Sequence, residues 1–93
     1  MAWPEIISAL ERARGEKWAE FSVRYGDWGR DAALWFGRRQ GRLPLRRLGE
    51  LAGGMDYAAV SVAVRRFTHR LARDAKLRRQ IGGIEGQMLN VEI

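Results

Sequence analysis

Apolar side chains recur along this sequence at intervals of three and four residues, and glycines interrupt the pattern again and again. That spacing places the apolar groups on one face of a helix, because one turn holds about 3.6 residues. The strict alternation of apolar and polar residues that a half-buried strand requires is found nowhere in the chain. With 93 residues, the chain has the length of one small domain. The sequence therefore predicts an all-α fold, a compact single domain of about five to six helices.

Glycine, proline and aspartate residues predict where these helices begin and end. We expect a first helix from Pro4 to Gly15, a second from Glu16 to Tyr25, a third from Trp28 to Gln40 capped by Asp27, a short fourth from Pro44 to Gly53, a long fifth after Asp56, and a last one from Leu77 to Leu89. These elements divide the single domain, 1–93, into N-terminal helices (1–26), a core (27–75) and a C-terminal helix (76–93).

Two of the predicted helices carry further expectations about packing. In the second, Trp18, Phe21 and Tyr25 follow each other at i, i+3 and i+7 and are expected on one face. The last helix holds three glycines between residues 82 and 86, each of which weakens a helix by about 1 kcal/mol relative to alanine. We expect these glycines to allow a neighbouring helix to approach closely. The four tryptophans lie at helical spacing and are expected in the core.

The charge of the chain is concentrated in its middle. The net charge is +6 and the pI is about 11.0. Residues 30–79 hold thirteen basic and four acidic side chains, whereas the segments before and after them are weakly acidic. Five arginines fall between residues 38 and 47 with no acidic residue among them. A basic domain of this kind is typical of nucleic-acid binding, since arginine binds phosphate oxygens through its planar guanidinium group.

Other classes of function find little support in the composition. Without cysteine, disulfides and thiolate metal sites are excluded. The only histidine is His69, and no nucleophile, base and metal set is apparent, so we expect no enzyme activity, no cofactor and no metal in this chain. No apolar run approaches the roughly 20 residues that span a bilayer, and the N-terminus has no secretion-signal pattern. We therefore expect a cytoplasmic protein with no membrane partner.

The segment from Leu45 to Phe67 has the order of a helix-turn-helix. A short helix, a glycine turn and a longer helix follow each other, and in DNA-binding proteins the second helix enters the major groove. Short or planar side chains at the start of that helix would face the bases, and arginines further along it would reach phosphates.

The same segment resembles the C-terminal DNA-binding domain of the DnaA replication initiator. The run from Leu48-Gly49 through Gly53-Gly54-Met55-Asp56-Tyr57-Ala58-Ala59-Val60 is similar to that family's pattern of Leu-Gly followed by Gly-Gly-Arg-Asp-His-Thr-Thr-Val. The resemblance covers about residues 28–75 and implies a fold like that of the initiator's DNA-binding domain or the Trp repressor. It also implies that Arg30 reaches into the minor groove.

A likeness to a second group covers more of the chain. Gly15-Glu16-Lys17-Trp18, the run Tyr25 to Asp31 and Met88-Leu89-Asn90-Val91-Glu92 resemble the C-terminal domain of REP-associated tyrosine transposases. In those proteins an upstream domain cleaves single-stranded DNA with two metal-binding histidines and a tyrosine. The resemblance implies that this chain is the DNA-docking part of such a protein, or a relative that stands alone.

The departures from the initiator pattern bear on specificity. Met55 replaces an arginine, Tyr57 a histidine, and Ala58 and Ala59 replace threonines. Since each good bidentate base contact contributes about 1–3 kcal/mol of discrimination, the initiator's own target site is not expected here. The predicted DNA-contacting residues are Arg30, Arg42, Arg46, Arg47, Met55, Asp56, Tyr57, Ala58, Ala59, Ser61, Arg65 and Arg66.

Three alternatives stay open at this point. The preferred partner is double-stranded DNA, with an upstream catalytic domain in a parent protein as a further partner. A basic helical domain can instead bind an acidic protein or form an oligomer without touching DNA. RNA binding is a weaker third hypothesis, because the pattern has no sheet bearing exposed aromatic residues.

Overall fold

The computed structural model describes residues 1–89, and within them the chain forms six helices and no strand. The helices are α1 (Trp3–Arg14), α2 (Trp18–Phe21), α3 (Gly29–Arg39), α4 (Leu45–Leu51), α5 (Tyr57–Arg73) and α6 (Ala75–Leu89). The predicted all-α class is therefore confirmed, and the predicted number of helices agrees. The predicted C-terminal residues 90–93, including Asn90, Val91 and Glu92, lie outside the described part of the chain.

The predicted starts of α4 and α5 are found where expected, whereas α3 begins one residue later than predicted. Its N-cap is Trp28, which makes no side-chain cap hydrogen bond, so the prediction that Asp27 is the N-cap is wrong. The Asp27 carboxylate still accepts a hydrogen bond from the amide of Gly29, the first residue of α3, at 2.7 Å. Pro44 directly precedes α4 in an extended conformation. Asp56 is the N-cap of α5, where its Oδ1 accepts from the Ala59 amide at 2.8 Å. Local side-chain chemistry thus sets the start of α3 and α5.

The second helix is shorter than predicted. It covers only Trp18–Phe21, and the residues up to Tyr25 form turns. Arg24 is paired with Glu16 and Asp27, which holds this segment in a turn. As a result Tyr25 is fully exposed, and the prediction that it shares a face with Trp18 is wrong. Trp18 and Phe21 do pack together, with ring centroids 5.5 Å apart.

Helix α3 lies at the centre of the fold. Every residue from Ala32 to Gly37 is buried, as expected for a helix that is apolar nearly all round. It packs against α1, α4 and α5. The larger apolar cluster is formed mainly by α1, α3 and α6, with one phenylalanine each from α2 and α5, and the smaller one joins α3 to α4 and α5. Trp35 is buried in the larger cluster, as predicted, whereas Trp3, Trp18 and Trp28 are half-buried and pack against it.

The smaller cluster positions α5 on α4. It is formed by Leu34, Leu48, Val60 and Ala63, all of them buried. Gly49 is buried beside them, and a Cβ on it would lie 1.9 Å from the carbonyl oxygen of Met55. Only glycine therefore lets the chain after α4 return this close to the helix. The amides of Gly54 and Met55 both donate to the Gly49 carbonyl, at 2.9 and 3.0 Å, and close the turn.

The last helix covers the predicted residues, but its glycines do not have the predicted role. Leu77, Ile81, Ile84 and Met88 are all buried. A Cβ placed on any of the three glycines between residues 82 and 86 would meet nothing within 4 Å. The expectation that these glycines allow close helix packing is therefore wrong. The helix packs through its apolar stripe, and the glycines lie away from that contact.

Candidate nucleic-acid interface

The first two turns of α5 present a tyrosine and several short side chains to solvent. Tyr57, Ala58 and Ala59 are exposed, and Tyr57 keeps 59% of its surface accessible. Ser61 is half-buried. Asp56 is exposed although its Oδ1 is engaged in the cap. These five predicted site residues lie consecutively or nearly so at one helix end, and the cap holds their backbone in place.

Met55 is placed differently from its neighbours. Its side chain is half-buried and packs against the cluster that joins α4 and α5. The turn hydrogen bond from its amide to Gly49 holds it there. Met55 therefore packs on the inner side of the turn between α4 and α5, whereas Tyr57 and Ala58 are exposed to solvent.

The predicted arginines fall into two groups according to their ion pairs. Four of them have no acidic partner within 4.0 Å among residues 1–89, and all four are at least partly exposed. These are Arg30, Arg42, Arg46 and Arg65. Arg47 pairs with Glu50 at 3.1 Å, and Arg66 pairs with Asp31 at 2.9 Å. The first group therefore has its full charge available for an anionic partner.

The ion pair between Arg66 and Asp31 joins two parts of the predicted site. Both Nε and Nη2 of Arg66 donate to the same Asp31 oxygen, at 3.2 and 2.9 Å, across the contact of α5 with α3. Arg30 precedes Asp31 in the chain, and it lines the same surface groove as Arg66 and Arg70. The fold thus brings Arg30 next to α5 although 36 residues separate Arg30 from Arg66 in sequence.

A network of charged side chains fixes the turn that leads into α3. Arg14 donates to Asp27 at 2.6 Å and Arg24 donates to the same Asp27 oxygen at 2.9 Å. Arg24 and Arg14 also pair with Glu16. The hydrogen bond from Arg24 holds the pKa of the Glu16 carboxyl below its usual range, and Glu16 in turn raises the pKa of Arg24. This network orients Asp27 and, through it, the start of α3 where Arg30 lies.

Aromatic rings enclose the central arginine of that network. The Arg14 guanidinium carbon lies 4.5 Å from the ring centroids of both Phe21 and Trp28. Contacts of this kind are favourable because the face of an aromatic ring attracts a cation. Arg14 is consequently a structural residue, unlike the exposed arginines of the middle segment.

One exposed residue of this surface was missed by sequence reasoning. Val62 keeps 45% of its surface accessible on the outer side of α5. It lies four residues after Ala58, so both fall on the face opposite Val60 and Ala63. Helical periodicity is the signal that could have found it, because Val62 lies off the side of the helix on which Val60 and Ala63 are buried.

Comparisons with known proteins returned nothing similar. The chain matches no model of a known protein family, and no match was found among curated proteins or solved structures. The resemblances drawn from the sequence motifs therefore stay predictions. Within residues 1–89 no three His, Asp or Glu side chains are grouped to hold a metal ion. The helices of that part of the chain include none long and apolar enough to cross a membrane.

Proposed function

We propose that this protein binds double-stranded DNA through a helix-turn-helix formed by α4 and α5. The observation that carries the proposal is the exposed start of α5, where the short side chains of Ala58 and Ala59 are followed about two turns later by Arg65, which has no acidic partner among residues 1–89. A recognition helix needs this arrangement, because small side chains allow the backbone to approach the base edges and arginines bind the flanking phosphates.

The turn between α4 and α5 supports the same proposal. Its buried Gly49 and the two left-handed glycines, Gly53 with φ 105° and Gly54 with φ 93°, let α5 begin close to the end of α4. The buried side of α5 packs on α4 through Leu48 and Val60, so its outer side is free for a groove. In this proposal α4 and its Arg46 lie near the DNA backbone.

Arg30 has a separate role in the proposal. It lies beside α5, in the groove that Arg66 and Arg70 also line, and makes no ion pair within residues 1–89. We place it in the minor groove next to the major-groove site of α5, as the DnaA-like pattern implies. The finer proposal is that the chain is the DNA-docking module of a REP-associated transposase-like protein, or a relative that stands alone.

The test is the salt dependence of binding to a labelled duplex of random sequence, followed by fluorescence anisotropy. Each phosphate contact contributes a slope of about −0.9 to the plot of log affinity against log salt. We expect Arg46→Ala and Arg65→Ala each to weaken binding and to make the slope shallower by about one phosphate contact. Arg12→Ala in the last turn of α1 is the matched control, since it removes the same charge from an exposed position that is not among the predicted DNA-contacting residues.

Two results would contradict the proposal. One is an absence of duplex binding at low salt, which would favour the alternative of a basic protein-interaction or dimerisation domain. The other is an equal loss of affinity in Arg12→Ala and Arg65→Ala, which would indicate attraction by net charge without a defined docking face.

A further inference from the structure

Three neighbouring side chains on the outer face of α5 are apolar, and they lie between the exposed Asp56 and Tyr57 before them and the exposed Arg65 after them. Ala58, Ala59 and Val62 are exposed there, and none of them carries a side-chain hydrogen-bond donor or acceptor. Val60 and Ala63, the inward residues of the same turns, are buried in the core between α4 and α5. The three exposed residues, hereafter the apolar face of α5, are therefore not used to stabilise the fold.

A partner that binds this face must also carry negative charge, because exposed arginines lie nearby. Arg65 lies three residues after Val62, on the following turn, and has no acidic partner within residues 1–89. Arg46 on the adjoining α4 is equally exposed and unpaired within that part of the chain. A partner that is apolar where it meets this face and anionic next to it meets both requirements, and duplex DNA is such a partner.

In the major groove, thymine alone presents an apolar group, its C5-methyl, whereas the other base edges present donors and acceptors. Alanine and valine side chains can remove that methyl from water by contact. The same side chains would leave the polar edge of a guanine or cytosine without a hydrogen-bond partner, which is unfavourable when the edge is buried.

From these observations we infer that the apolar face of α5 recognises thymine methyl groups in the major groove. The inference depends on the proposed DNA binding and adds the chemical class of the target: duplex sites in which thymines face Ala58, Ala59 and Val62. Arg65 on α5 and Arg46 on α4 then bind phosphates near those thymines.

The experiment compares two duplexes that differ only in these methyl groups. One is an alternating d(AT) duplex and the other is the same duplex with every thymine replaced by deoxyuridine. Affinities are measured by competition against a labelled random duplex. We expect the uracil duplex to bind more weakly, by about fourfold for one lost methyl contact and about fifteenfold for two. Equal affinity for the two duplexes would overturn the inference and leave the proposed DNA binding intact, whereas no binding to any duplex would overturn both.

Two matched variants test whether the preference for thymine over uracil arises from the apolar face of α5. Val62→Ala should reduce the preference for thymine over uracil, because it removes two methyl groups from the contact. Val23→Ala makes the same change at a valine that is 82% exposed in the turn before α3, and should keep the full preference. Both sites are exposed, and alanine is the better helix former at position 62, so the variants fold. A preference that survives Val62→Ala unchanged would overturn the assignment to α5.

Discussion

At the scale of single residues, the ion pairs show which arginines stabilise the fold and which are available to bind a ligand. Arg14 and Arg24 are held by Glu16 and Asp27 around the turn before α3. Arg46 has no such partner within residues 1–89. The sequence alone does not distinguish these arginines. In the structure some of them fix a turn, and others have no ion-pair partner within residues 1–89 and are available to a ligand.

The Glu16 carboxylate should make the stability of the fold depend on acid pH. Its pKa is lowered in the folded state by the hydrogen bond from Arg24. A lowered folded-state pKa contributes stability that is fully present above the unfolded value of about 4.3 and is lost as the pH falls through the folded value. We expect Glu16→Gln to lose less stability than the wild type between neutral pH and about pH 3.

Urea unfolding at a series of pH values measures this difference. Glu20→Gln is the control, because Glu20 is exposed and forms no ion pair within residues 1–89. The interpretation of the network would be wrong if Glu16→Gln and the wild type showed parallel losses of stability on acidification.

At the scale of elements, the position of α5 depends on how closely the chain returns to α4. The buried Gly49 faces the Met55 carbonyl oxygen, and the turn that follows is closed by two hydrogen bonds to Gly49. The helix itself is capped by Asp56 and held by the contacts of Val60 and Ala63. Cap, turn and core together determine which side of α5 faces solvent.

Gly49→Ala is expected to destabilise the protein by about 1–3 kcal/mol, the usual cost of overpacking. The added Cβ would lie 1.9 Å from the Met55 carbonyl oxygen, so the turn has to move. Because that turn positions the start of α5, DNA affinity should fall as well. Chemical unfolding and anisotropy measure the two effects, and a variant as stable as the wild type would show that the turn is not tightly packed.

Replacing glycines of α6 with alanine should stabilise the protein, in contrast to Gly49→Ala. A Cβ on Gly82 or Gly83 meets nothing within 4 Å, and both residues are exposed. Replacing either with alanine should stabilise the protein by up to about 1 kcal/mol, since alanine has the higher helix propensity. Urea midpoints measure the gain. Destabilisation by Gly83→Ala would mean that this surface of α6 is in contact with another part of the protein.

At the scale of the whole molecule, two apolar clusters are joined into one core. Leu34 and Leu48 belong to the smaller cluster, and Phe36 and Phe67 to the larger one. Trp3 and Val64 pack against both. Since α3 and α5 contribute to both clusters, neither cluster has its own separate set of helices.

We therefore expect a single cooperative unfolding transition. Tryptophan fluorescence reports mainly on the larger cluster, which contains Trp35 and is flanked by Trp18 and Trp28. Far-UV circular dichroism reports on all helices. The two signals should have the same midpoint in urea, as two-state unfolding requires. Separate midpoints would show that α4 and the start of α5 unfold independently of the larger cluster.

Some parts of the candidate site could be predicted from the sequence, and others could not. Asp56, Tyr57, Ala58 and Ala59 follow a turn signal that is entirely local, and they are found exposed at the start of α5 as that signal implies. Val62 was missed although it follows from the same periodicity. The ion pair of Arg66 was not predictable, because Asp31 is 35 residues away in sequence and reaches it only when α3 packs on α5.

The features that could be predicted from the sequence are those that depend on interactions between near neighbours. Glycine turns, aspartate caps and the period of the apolar residues act within one or two turns, and they predict the helices, their buried sides and the all-α class. Tertiary structure alone decided that Tyr25 lies in an exposed turn, that Arg14 is enclosed by Phe21 and Trp28, and that Arg30 lies beside Arg66. Each of these depends on which helices pack together, and charge pairing and packing between distant segments leave no local pattern in the chain.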